Sequence, residues 1–275
     1  MLSNRETPPA QMRLQIGVAT LTKALVIVAV VLVIVSVAGQ LAVRAFDWHP
    51  ERDIVSFTNI DRERNIPTTF QAALMLASAV ALAGIAVIKR LVSDRWTRHW
   101  AGLALVFLLL GWDEIVEVHE RFIEPLRRAF DLQGFLFFGW IIPAGVAVAL
   151  FALAYLRFML ALPSRTRMLL VIAAVTFVTG ALVFEAIGGA YYESIDQNAD
   201  MTYVLIATVE ESLEMAGLII FLHAVLAYLS ATMQGGAIRI SGEPGRLWIE
   251  AQRAGDDTLS SSSDSRARIK VERQR

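Results

Sequence analysis

Directly after the apolar run Ala101 to Gly111, the chain places Asp113, Glu114, Glu117, His119 and Glu120. Near the far end of its hydrophobic region Glu210, Glu211 and Glu214 repeat the pattern acid-acid-x-x-acid, and Glu185 stands between the two groups in sequence. Carboxylates and an imidazole in apolar surroundings have few uses. A divalent cation or a di-metal centre takes oxygen ligands from facing helices with an occasional histidine, and all nine of these residues are candidate metal ligands on that ground. The same carboxyls could instead pass protons or sodium. A third outcome is that Arg62, Arg64, Arg121 or Arg127 reaches in from a loop and neutralises the acids for packing alone.

Magnitude makes some such partner necessary. An acid at the centre of a membrane helix costs roughly 2.5 to 3.5 kcal/mol on insertion scales. With the five deepest acids at about 2 each, the sum is on the order of 10 kcal/mol, comparable to the whole stability of a domain. No Lys or Arg occurs in 102–120, 168–192 or 201–231, so the offset must come from elsewhere. If both segments are helical, Asp113, Glu117 and Glu120 share one face with Glu114, and Glu210 and Glu211 each share one with Glu214.

The elements that would carry these residues are transmembrane. The chain has 275 residues, of which 56% are hydrophobic, and a mean hydropathy of +0.53. Its apolar residues fall in long blocks, as in a polytopic membrane protein. Runs of sufficient length predict six spans, at 20–44, 68–88, 99–121, 135–159, 167–192 and 202–231, and hence an all-α bundle of six transmembrane helices. The first reads as a retained helix and not a cleaved signal. The domain organisation expected is a cytoplasmic leader at 1–19, a six-span domain at 20–232 and a cytoplasmic tail at 233–275. Within the tail, Ala237 to Gln252 has the turn and strand pattern of a short hairpin, and the polar remainder reads as disordered.

Lys and Arg in the alternate loops, notably Lys89, Arg90, Arg95, Arg98, Arg157, Arg165 and Arg167, predict both termini in the cytoplasm. On that topology Asp113, Glu185 and Glu210 lie roughly 12 to 14 Å below the outer surface, at 1.5 Å of rise per residue. Trp112 is placed to wall the acid pocket. A net charge of −1 and the lack of a basic face give no reason to expect nucleic acid. Zero cysteines exclude thiolate chemistry and disulfides. Ser212 has no base at a recognisable spacing, and His223 falls on the cytoplasmic half as a packing residue.

Three stretches together carry a resemblance: Asp61-Arg62-Glu63-Arg64-Asn65-Ile66-Pro67-Thr68, Asp113-Glu114 with His119-Glu120, and Glu210-Glu211 with Glu214-Met215-Ala216-Gly217. Over residues 20 to 230 the chain resembles uncharacterised multi-span bacterial inner-membrane proteins. That resemblance implies a bacterial plasma-membrane setting and no particular activity. Glu210-Glu211 is similar to the paired glutamates of the CAAX-type membrane proteases, but Met215 follows Glu214 where an arginine is expected and the later histidine motifs are missing. The ceramidase-like membrane hydrolases use three histidines on zinc, whereas only His119 of the four here belongs to the cluster.

The expectation is therefore an integral membrane protein in contact with the lipid bilayer, with an acidic, divalent-metal-binding pocket open to the outer side. Such a pocket could serve a metal-dependent membrane hydrolase. The alternative is a proton- or cation-translocating transporter using the same carboxylates, and the sequence does not decide whether the chain is an enzyme.

Overall fold

The computed structural model describes residues 17–46, 52–233, 238–243, 246–252 and 266–272. Six helical segments are long and apolar enough to cross a membrane: Val18–Arg44, Ile66–Leu91, Thr97–Val116, Ile141–Ala161, Ser164–Ser194 and Met201–Thr232. In chain order the helices are α1 (Val18–Phe46), α2 (Arg52–Thr58), α3 (Ile66–Leu91), α4 (Thr97–Val116), α5 (Ile123–Phe130), α6 (Ile141–Ala161), α7 (Ser164–Val178), α8 (Glu185–Ser194) and α9 (Met201–Thr232). Segments α7 and α8 form one span, joined through a π-helical segment, Thr179–Phe184. The chain crosses back and forth, so the loops 59–65, 117–140 and 195–200 gather at one end of the bundle.

Helix starts at that end are set by side chains that accept otherwise unpaired backbone N–H groups. Asn65 Oδ1 accepts from Thr68 N at 3.1 Å to begin α3, with Pro67 in the first turn where no N–H is needed. Asp200 Oδ1 accepts from Tyr203 N at 2.9 Å to begin α9. The core lies between α3, α4 and α9 and includes Leu74, Met75, Leu82, Ile85, Phe107, Met215, Leu218 and Leu222. Ile27, Val31 and Ile34 of α1 and Val146, Leu150 and Leu153 of α6 are exposed, the expected state of helix faces that meet lipid.

Where helices touch, small residues set the distance. A Cβ at Gly111 of α4 would lie 3.2 Å from Met75 Cβ of α3. One at Gly217 of α9 would lie 2.8 Å from Phe177 N of α7. On the other end of the bundle Trp96, His99, Trp100, Tyr155 and Phe158 form an aromatic cluster, and His223 of α9 is tied to Thr22 of α1 by a 2.8 Å hydrogen bond. Beyond α9, strands β1 (Ile238–Glu243), β2 (Arg246–Gln252) and β3 (Arg266–Glu272) pair antiparallel in the order β1-β2-β3, with Ile240 opposite Ile249 and Ile249 opposite Ile269. The expected leader up to residue 16, residues 47–51 of the first loop, and 234–237, 244–245, 253–265 and 273–275 of the tail lie outside the described residues.

Two boundaries differ from those expected. The third span ends at Val116 and not near 121, and the fourth begins at Ile141 and not near 135. Both shifts enlarge the loop between them, and that loop carries Glu117, His119 and Glu120 of the nine candidates.

Candidate functional site

The third span stops because Glu117 turns left-handed, at φ 58° and ψ 46°, while its N–H still closes onto Asp113 O at 2.7 Å. A non-glycine residue there is strained, so something must hold it. Asp113 does so from below: Oδ1 accepts from His119 N at 3.2 Å and Oδ2 meets His119 Nδ1 at 2.7 Å. Arg64 does so from the side, with Nε 2.6 Å from Glu117 Oε1 and Nη2 donating to Oε2 at 2.8 Å. Arg64 is itself left-handed, at φ 59°. Two strained residues thus close a forked ion pair between loop 59–65 and the end of α4, and this brings Glu63 to His119.

The ligand atoms of Glu63, His119 and Glu120 all lie within 4.8 Å of one another. They sit beside a cavity of about 520 Å³ lined by Ser56, Phe57, Asp61, Arg62, Glu63, Arg64, Glu117 and Glu120. With Nδ1 engaged by Asp113, Nε2 is the remaining ring nitrogen of the imidazole. An acid that orients a histidine through its other nitrogen is the usual second layer of a metal site. Burial, then the charge of Glu120, pushes the Glu63 carboxyl up to about 7. Desolvation raises Glu120 as well, against the pull of His119. For His119 burial disfavours the charged ring, but the Asp113 carboxylate more than reverses this, and its pKa rises.

Deeper in the bundle the acids fall into two groups. Trp140 Nε1 donates to Glu185 Oε1 at 2.7 Å, and the Glu185 carboxyl lies close to that of Glu210. The π-helical segment before Glu185 shifts the phase of α8, and Gly180 within it lets α9 come so near that an added Cβ would lie 2.7 Å from Glu210 O. The second group centres on Gln71 of α3, whose Nε2 donates to Glu211 Oε2 at 2.5 Å. Because α3 and α4 run antiparallel with Gly111 against Met75, Glu114 is level with Gln71. Glu214 lies within electrostatic reach of Glu114, Glu185 and Glu63.

Of the nine residues singled out in the sequence, Glu117 and Glu120 line the cavity, His119 meets Glu120 and Glu63, Asp113 orients His119, and Glu114, Glu185, Glu210, Glu211 and Glu214 face inward. Glu117 is occupied by Arg64. The helical stripe expected for Asp113, Glu114, Glu117 and Glu120 does not form, because the helix ends before Glu117. Among the described residues, Arg64 is the one arginine of the four considered that pairs with a member of the set; Arg127 pairs with Glu124, and Arg121 donates to Val116 O. Trp112 is 53% exposed and walls nothing; the indole at the acids is that of Trp140. Ser212 donates to Thr208 O within its own helix.

Glu63, Gln71 and Trp140 escaped the sequence reading. Glu63 stands in the stretch Asp61 to Thr68, remote in sequence from the nine candidates, although its position two residues before the helix cap Asn65 ties it to the mouth of the bundle.

With that geometry in view, the family can be stated: the model of the family described as Domain of unknown function (DUF8692) matches residues 24–229, and the chain belongs to that family. No curated protein and no solved structure matches the chain.

Proposed function

We propose that this chain is a membrane-embedded divalent-metal protein whose ion is held by Glu63, His119 and Glu120, and that the site serves a hydrolytic reaction at the outer face of a bacterial plasma membrane, with both termini in the cytoplasm. The observation that carries the reading is the Asp113–His119 pair beside two glutamates at one cavity. One imidazole nitrogen and two carboxylates suit zinc or manganese, and three protein ligands leave positions for water and substrate. Such an ion would supply Lewis acidity and a water activated near neutral pH. Around it the chain's own residues position the ligands: Asp113 sets the His119 tautomer, the Arg64–Glu117 pair holds loop 59–65 against α4, and Trp140 covers the imidazole with ring centroids 4.9 Å apart.

Elemental analysis of the full-length protein purified in detergent is the first test, with thermal melts in chelator and in added zinc, manganese, magnesium and calcium. A stoichiometric metal that Glu63→Gln and His119→Ala both remove is the expected result, and saturation at about 100 times the dissociation constant stabilises by about 2.7 kcal/mol. If no metal copurifies and no divalent ion moves the melt, the metal reading fails. Chelator-sensitive release of soluble product from labelled lipids in proteoliposomes then separates hydrolase from simple binding.

A second reading is favoured by one observation: the acids do not stop at the mouth but continue inward through Glu114 to Glu211 and Glu214, and through Glu185 to Glu210. A translocator of protons or cations would use such a file. Flux of protons or sodium in proteoliposomes, lost in Glu214→Gln, supports it; tight liposomes excludes it.

A further inference from the structure

Between α4 and α6 the chain makes a helix, α5, that is not a span. Glu117 and Asp131, both left-handed at φ 58° and 49°, break the chain on either side of α5 and the turn before it. The helix is folded back on the bundle and does not reach away from it. A Cβ at Gly139 would lie 2.9 Å from Leu126 Cβ and 2.8 Å from Leu132 Cδ1, and the Arg127 guanidinium stands 4.5 Å from the centroid of the buried Phe137 ring. The other side of α5 is open. Phe122, Pro125 and Ala129, at i, i+3 and i+7, are all exposed along it, Phe122 at 53%. Phe130 at the helix end and Phe135 and Leu136 in the turn Gly134–Leu136 are exposed as well. Beside this apolar strip lies a polar one, in which Glu124 is paired with both Arg127 and Arg128.

We propose that α5 is an interfacial helix, seated in the headgroup layer of the leaflet at the mouth of the bundle, with Phe122, Pro125, Ala129 and Phe135 against acyl chains and Arg128 at lipid phosphates. Continuity selects the occupant. On α4 the exposed residues Leu105, Leu108, Leu109, Trp112 and Ile115 form one stripe that runs to the last turn, and Phe122 follows seven residues after Ile115. On α6 the exposed face resumes at Ile142 and Val146. Along the chain, the open side of α5 therefore bridges two faces of the kind that meets lipid, next to the level where exposed Trp112 suits the membrane boundary. Size argues against a second copy of the chain as the cover. Eight residues make a helix about 12 Å long, whose open side is far short of the roughly 800 Å² per partner that a stable dimer buries. Glu120 stands two residues before Phe122, so such a seat fixes the rim of the cavity at headgroup depth. The proposal holds with or without a metal at that cavity.

The chain has no cysteine, so single nitroxide labels can be placed one at a time in the full-length protein in phospholipid vesicles. Leu150→Cys on the exposed face of α6 serves as the lipid reference, and Asn198→Cys in loop 195–200 as the water reference. Collision with oxygen, which partitions into the bilayer, is compared with collision with a nickel chelate, which stays in water. Labels at Phe122→Cys, Ala129→Cys and Phe135→Cys should give oxygen-to-chelate ratios well above the water reference, at a depth of about 5 to 10 Å, while Arg128→Cys stays close to that reference. Ala129→Cys replaces a small exposed side chain and carries the decision if a phenylalanine variant does not fold. Ratios at 122, 129 and 135 equal to the water reference overturn the proposal, as does a ratio at Arg128→Cys as high as that at Ala129→Cys. Shielding of 122 and 129 from both reagents overturns it too, because protein and not lipid would then cover the face.

Discussion

His119 owes its usefulness to Asp113, which grips both its backbone N–H and its Nδ1. Asp113→Asn keeps the shape but cannot hold the ring as a carboxylate does, so metal affinity should fall about 10- to 100-fold in a competitive zinc titration, with the fold retained. Affinity should also climb steeply with pH. Glu63 sits at about 7 and His119 is raised above its ordinary value, so both hold protons in weakly acidic solution that a metal must displace, and the upward shift of Glu120 acts in the same direction. Protons are released on binding, and apparent affinity therefore increases from about pH 5.5 to 8. Isothermal titration in buffers of different ionisation enthalpy measures that release directly; a flat profile would remove Glu63 from the ligand set. The acid pattern of α4 was legible in the sequence as a site, whereas Glu63 was not, because its contribution depends on a loop folding onto a helix end far along the chain.

Elements bring these residues together through close approach, and two glycines test that in opposite senses. Gly180→Ala would drive a Cβ to 2.7 Å from Glu210 O and 3.2 Å from Glu214 N, both backbone atoms that cannot step aside. It should destabilise by about 1 to 3 kcal/mol and loosen α8 from α9. Gly84→Ala in α3 meets nothing within 4 Å and should be neutral or stabilise by up to about 1 kcal/mol. Thermal melts of the two variants side by side check both; equal destabilisation would mean that contact at Gly180 is not what matters. The six spans were readable from apolar length alone, but not the π-helical segment at 179–184 or the early stop of α4 at Val116. A helix end set by a left-handed glutamate and a remote arginine leaves no local mark such as Gly or Pro.

For the whole molecule, the acidic end of the bundle gathers loops 59–65, 117–140 and 195–200, and the proposed orientation places that end outside. The chain has no cysteine, so single substitutions report cleanly. Cysteine at exposed Asn198 should react with an impermeant maleimide in intact cells, and cysteine at exposed Ser164 only after permeabilisation. The reverse pattern would turn the cavity toward the cytoplasm and remove the outer-face function. Sequence by itself determined that this is a six-helix membrane protein with too many uncompensated acids, because hydrophobic length and the cost of burying charge are properties of composition and do not depend on contacts. Only the tertiary structure decided which acids act together. Helix crossing at Gly111, Gly180 and Gly217, and the fold of loop 59–65 onto Glu117, separate one set of acids into a mouth trio, a Glu185–Glu210 pair and a group around Gln71. Those distances are set by packing between segments remote in the chain.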